Sequence, residues 1–172
     1  MLARPGSDEF FEYYGRYIDQ VPERDVLSIL DEQRATVRAT LGHLPPERAG
    51  YRYAPDKWTI ADVIQHLSDA ERIFAYRALR IARGDETPLP SWDEYAYAAR
   101  TDTSRLSVAV LLDDWETSRA ATLSLFRTFA DEMWTRRGTA SGHPVTPRAL
   151  AYIVAGHTAH HLAILRDRYG VK

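Results

Sequence analysis

Four stretches of the chain carry apolar residues at three- and four-residue spacing, the period of a helix that buries one face. The last of them reads RALAYIVAGHTAHHLAILRDRY and puts Leu150, Val154, His157, His161, Ile164 and Arg168 on one side. Thr146 and Pro147 supply its N-cap and first helical position, and Gly170 ends it. The first stretch opens at Pro22, with Glu23 and Asp25 in its first turn. It turns Val26, Ile29, Leu30, Gln33, Val37, Thr40 and Leu41 inward and stops near Gly42, ahead of Pro45 and Pro46. The second is capped by Thr59, buries Ile60, Val63, Ile64, Leu67, Phe74 and Ile81, and ends at Gly84. The third runs from a Ser104 cap to about Trp134, with Leu106, Val110, Leu111, Trp115, Leu123, Phe126 and Phe129 as core candidates.

Between these helices the pattern breaks. Residues 1–22 are aromatic and polar without a period and read as an N-terminal arm lying across the body or a partner subunit. Residues 45–58 form a polar connection, and 85–103 a longer one with two prolines and a short helix over Asp93–Ala99. The stretch RRGTASGHPVTP before the last helix is a loop. Strand signals are nearly absent, and no two-residue hairpin turn is expected. The pattern predicts an all-α four-helix bundle with long connections after its first and second helices. We expect one domain over 1–172, an arm (1–22) followed by the bundle (23–172).

Composition narrows the function. A chain of 172 residues that is 45% hydrophobic can bury a substantial core. A net charge of -2 gives no general pull toward nucleic acid or anionic membrane. No run approaches the roughly 18 apolar residues of a membrane span, and the N-terminus lacks the apolar region of a secretory signal. There is no cysteine, which fits the cytoplasm and removes disulfides and thiolate ligands. Any metal must sit on His, Asp or Glu, and any reactive thiol must come from outside.

The last helix carries the candidate chemistry. His157 and His161 are one turn apart on the inward stripe and can grip one divalent ion through neutral imidazole nitrogens. The competing role is a pair of core histidines satisfied by hydrogen bonds. A third ligand must come from another helix, and His66, mid-helix near the inward face, is the best candidate. Three imidazoles leave a position open for water or substrate, and zinc, nickel or another first-row ion would suit them. His160 lies off the stripe and should face outward or a neighbouring helix; His43 and His143 read as exposed loop residues. Asp62, one turn before His66, could orient its ring or simply act as a first-turn acid. Glu71 and Arg166 could pair near the site or lie on the surface. The metalloprotease pattern His-Glu-x-x-His fails, because Thr158 follows His157.

Two segments, YRYAPDKWTIADVIQHLSDAERIFAYRALRIARGD and GTASGHPVTPRALAYIVAGHTAHHLAILRDRYG, resemble the DinB/YfiT-like metalloproteins. The resemblance covers about residues 8 to 170; a Trp ahead of a His-bearing helix and a final Gly-His-x-x-His-His carry it. It implies a four-helix bundle, often a homodimer, with zinc or nickel on His66, His157 and His161. Many relatives carry Glu where this chain has Thr158. The activities it implies are thiol S-transfer, in which bacillithiol, mycothiol or glutathione meets an electrophile or assists an isomerisation, and metal-dependent hydrolysis. We therefore expect a divalent-metal enzyme of the thiol S-transferase kind acting on a small molecule. A hydrolase that activates water and a non-catalytic metal- or ligand-binding bundle are the alternatives. Trp58, Trp92, Tyr95 and Tyr97 are candidate pocket walls, with simple packing as their competing role. Neither nucleic acid nor membrane is an expected partner.

Overall fold

The computed structural model describes all residues, Met1–Lys172. Its helices are α1 (Gly15–Ile18), α2 (Val26–Leu41), α3 (Ile60–Ala82), α4 (Glu94–Arg100), α5 (Val108–Phe126) and α6 (Pro147–Tyr169), with strands β1 (Gly138–Ala140) and β2 (His143–Val145) just before α6. The four long helices α2, α3, α5 and α6 form the bundle; α3 packs on α5 and α6, and α2 packs on the same two. No helix is long and apolar enough to cross a membrane.

The core is split into two apolar clusters. One gathers Val26, Ile29 and Leu30 of α2, Phe74 and Ile81 of α3, Leu123 and Phe126 of α5, and Leu150 and Ile153 of α6. The other gathers Val37 and Leu41 of α2, Ile60 and Ile64 of α3, Leu111 and Trp115 of α5, and Leu165 and Tyr169 of α6. Each helix runs from one cluster to the other, so α2 and α6 point one way and α3 and α5 the other. Neighbours α3 and α5 are therefore parallel, and the chain must travel the full height of the bundle between them. That is the physical reason for the long 83–107 connection.

A polar layer crosses the bundle between the clusters. Gln33, His66, Ser68, Glu71, Ser118, Arg119, Thr122, His157, Thr158 and His161 are all buried there. Arg119 is 0% exposed. It bonds the Glu71 carboxylate at 2.8 and 2.9 Å, the Leu30 carbonyl at 3.0 Å, and Gln33 Oε1 and Thr158 Oγ1 at 2.9 Å each. Gln33 in turn donates to the Ala155 carbonyl at 2.8 Å. One guanidinium thus satisfies acceptors on all three other bundle helices, as a buried charge requires. Glu71 is placed in this layer, whereas Arg166 pairs with Asp167 on the surface.

Several boundaries differ from the sequence reading. Helix α2 starts after Pro22, because Asp25 is the N-cap, its carboxylate accepting from Ser28 N at 3.0 Å. Helix α5 starts later and ends earlier than expected. Ser107 caps it, while Ser104 lies in a 3-10 turn and donates to Asp102 at 2.6 Å. Expected core residues Leu106 and Val110 are consequently 38% and 51% exposed. Trp134 belongs to a separate 3-10 turn, Asp131–Thr135, and packs with Phe126 and Phe129. The hairpin was not expected. Strands β1 and β2 pair antiparallel through Ser141 and Gly142, both at positive φ (55° and 81°), as a primed two-residue turn demands. Leu89 from the long connection adds an edge to it through Leu89 N to Thr139 O, 2.8 Å.

The arm is folded onto α6. Tyr17, Ile18 and Val21 are buried. Its backbone reaches α6 only because position 156 is glycine: a Cβ there would lie 2.0 Å from the Tyr17 carbonyl oxygen. Glu9 fastens the arm further out, accepting from Gly6 N (2.8 Å), Thr146 Oγ1 (2.9 Å) and Arg148 Nε (3.0 Å).

Candidate metal centre

His66 comes from the middle of α3, and His157 and His161 from successive turns of α6. All three side chains are buried. Their Nε2 atoms converge: His66 to His157 is 2.9 Å and His157 to His161 is 3.1 Å. The three potential donor atoms lie within 4.8 Å of one another.

Hydrogen bonding alone cannot satisfy that arrangement. His157 Nε2 faces two ring nitrogens but has a single in-plane lone pair or a single hydrogen. Imidazole nitrogens bound about 2.0–2.1 Å from a common ion sit roughly 3 Å apart, the spacing found here. Burial holds His66 at about 4. Burial, joined by the neighbouring ring His161, holds His157 well below its ordinary value, and burial with His66 does the same for His161. The rings are therefore neutral near neutral pH, the state in which a nitrogen lone pair can bind a cation. The residues present fit one divalent ion.

Aromatic rings fix the imidazoles. Trp92 stacks on His66 with centroids 5.8 Å apart, and Trp58 tilts against the same His66 ring at 4.8 Å. Tyr17 meets His157 edge-on at 5.4 Å and His160 at 5.1 Å. Tyr95 packs on Trp58 at 5.4 Å. A cavity of about 290 Å³ opens beside His66 and His161, with Trp58, Tyr95, Tyr17 and His160 among its walls. Larger surface depressions exist, around Arg38 and Glu116 and around Arg52 and Asp102, but no histidine of the triad reaches either.

Not every candidate faces the cavity. Tyr97 packs on Trp92 at 5.3 Å and is largely exposed. Asp62 spends its oxygens elsewhere, accepting from Thr59 N at 2.9 Å and from Thr103 Oγ1 at 2.5 Å, and makes no hydrogen bond to His66. The Nδ1 atom of His161 is buried without a partner. Thr158 points into the polar layer, donating to Val154 O at 3.2 Å and accepting from Arg119. His160 is half-buried and lines the cavity rather than facing away from it. Sequence reasoning missed Tyr17 and Arg16 of the arm and Glu94 of α4, all of which line the cavity. Only the run of aromatics in the arm hinted at this, since those rings had to find cover.

Fold and site together define a class: a four-helix bundle whose polar core layer can seat one divalent ion on a histidine triad beside a reachable cavity. The chain belongs to the DinB superfamily, whose sequence profile matches residues 29–165. It is similar to YfiT from Bacillus subtilis, described as a probable metal-dependent hydrolase with an unusual four-helix bundle topology, at 20% identity and a TM-score of 0.75, covering 99% of this chain and 95% of that one. It is also similar to the mycothiol-dependent maleylpyruvate isomerase, at 17% identity and a TM-score of 0.67, covering 84% of this chain and 61% of that one. The chain thus spans about three-fifths of the isomerase's length. At these identities the likeness establishes the fold. No curated protein matches the chain in sequence.

Proposed function

We propose that His66, His157 and His161 hold one zinc or nickel ion, and that the protein is a metal-dependent thiol S-transferase. The observation that carries this reading is the meeting of three neutral imidazole nitrogens, with the rings of His66 and His161 lining a cavity. When bound, such an ion lowers the pKa of a thiol or water placed on it. The chain's own residues do the rest. Three histidine ligands leave room for a further ligand, and the cavity gives a small molecule access to it. Trp58, Trp92 and Tyr17 keep the rings in place and restrict water around them. The incoming sulfur forms a bond to an electrophilic carbon, whose leaving group departs with the bonding electrons. Candidate thiols are bacillithiol, mycothiol and glutathione; candidate electrophiles are toxins, epoxides and halides. The mycothiol dependence of the structurally similar isomerase supports the thiol.

Hydrolysis is the second reading, supported by the description of YfiT. It uses the same residues and differs in needing no thiol. Conjugation of a panel of thiols to a generic electrophile, with and without added zinc or nickel, tests the first reading. A metal-dependent rate requiring thiol supports it; ester hydrolysis at the same rate without thiol replaces it with the second. A non-catalytic metal-binding bundle remains as the outcome in which metal binds and neither rate appears. The proposal includes a cytoplasmic homodimer, which sedimentation of the purified protein checks as to assembly.

A further inference from the structure

The cavity beside the triad contains two opposite charges, Arg16 and Glu94, that make no direct ion pair with each other or with any other side chain. Arg16, from the arm, is held over the Tyr13 ring at 3.8 Å and the Tyr17 ring at 5.1 Å. Its only side-chain hydrogen bond is a long one, Nη2 to Tyr17 Oη at 3.4 Å, and it pairs with no carboxylate. The two rings hold the guanidinium at the cavity and leave most of its donors for a ligand. Glu94, on α4, lines the same cavity and makes neither a hydrogen bond nor an ion pair. Burial raises its carboxyl above the usual range, against the opposing pull of Arg16. The remaining charges in the walls cancel, because Lys57 pairs with Asp56 at 2.8 Å.

We infer that this cavity binds a small zwitterion of the α-amino-acid type, its carboxylate on Arg16, its ammonium on Glu94 and its side chain directed toward His66 and His161. A planar guanidinium takes a carboxylate through two parallel bonds, and a partly desolvated carboxylate takes an ammonium. A ligand with no ammonium leaves half-buried Glu94 unmatched, and one with no carboxylate forgoes the paired bonds to exposed Arg16, so each should bind more weakly. At about 290 Å³ the cavity is at the small end of ligand sites, which run from roughly 300 to 1,000 Å³. The inference deepens the thiol-transferase reading and rests on it in one respect: the side chain that reaches the triad would be the one bearing sulfur.

Two measurements on the full chain separate the parts. In the first, tryptophan fluorescence of metal-free and zinc-loaded protein is titrated with L-norvaline, pentanoate and butylamine, which share an apolar tail and differ in charge. The expected order is norvaline tightest, by about tenfold or more over either analogue. Arg16→Gln should weaken norvaline and pentanoate and spare butylamine; Glu94→Gln should weaken norvaline and butylamine and spare pentanoate. Arg16→Lys, which keeps the charge but not the paired donors, should recover only part of the lost affinity. Equal affinity for the three probes, no binding of any, or a preference unchanged in both variants overturns the inference. In the second, L-homocysteine, which carries both charges and a side-chain thiol, is added to cobalt-loaded protein. Absence of a sulfur-to-cobalt charge-transfer band defeats the thiol-on-metal reading and leaves the result of the first measurement standing.

Discussion

Arg119 Nη2 lies 2.9 Å from Thr158 Oγ1, on the residue that follows the His157 ligand candidate, while the same guanidinium grips Glu71. The pair is fully enclosed, so breaking it strands a charge. Arg119→Met should destabilise the protein by about 3–5 kcal/mol. Adding Glu71→Leu should return much of that loss, because replacing both partners removes the stranded charge. Chemical denaturation of the two variants checks the sign. Thr158→Glu should also destabilise, since it brings a second carboxylate to a cation already matched by Glu71.

Gly156 and Tyr17 make the next prediction. Gly156→Ala drives a methyl into the Tyr17 carbonyl, which cannot retreat without peeling the arm from α6. Overpacking of this kind costs about 1–3 kcal/mol or more. Hydrogen exchange should accelerate first over residues 15–21, ahead of the bundle helices. Unchanged protection of that segment would show that the arm does not depend on the close approach.

Acid stability should depend on Glu9. Burial works to raise its carboxyl, but the Arg148, Gly6 and Thr146 hydrogen bonds prevail and hold it below its ordinary 4.5. A carboxyl with a lower pKa folded than unfolded stabilises fully above its unfolded value and loses that contribution as pH falls through the folded one. Glu9→Gln should therefore be less stable than wild type near neutrality and show a shallower decline below about pH 4.5. Thermal melts of both proteins across that range measure the difference.

Metal content provides the direct check on the centre. His66→Ala, His157→Ala and His161→Ala should each lower zinc or nickel retained through dialysis by about tenfold or more, and His160→Ala should retain wild-type content. Elemental analysis of the four variants beside wild type decides it. Equal metal in His66→Ala and wild type would remove α3 from the site.

The sequence made the bundle legible through the inward faces of α2, α3 and α6, where every stripe residue except half-buried Thr40 and Ile164 and exposed Arg168 is buried. It was least legible in α5. There several serines and threonines offer alternative caps, and the choice of Ser107 over Ser104 depends on how Thr103 docks on Asp62. The Ser141–Gly142 turn was overlooked because its strands are only three residues each and show no alternation. The spacing of His157 and His161 is a local property of one helix and could be read directly. The contributions of Arg16, Tyr17 and Glu94 could not, since they depend on where two irregular segments come to rest.

The seating of Tyr17 against Gly156 also bears on how the protein is made. A ribosome releases the arm well before α6, so the tyrosine waits for a glycine 139 residues further along the chain. Contacts this distant along the chain form late and slow the overall reaction. Until they form, the aromatic arm is uncovered and exposed to other chains, and the cavity beside the histidines lacks a wall. Docking of α6 on the waiting arm, rather than formation of any one helix, is the event that assembles the site.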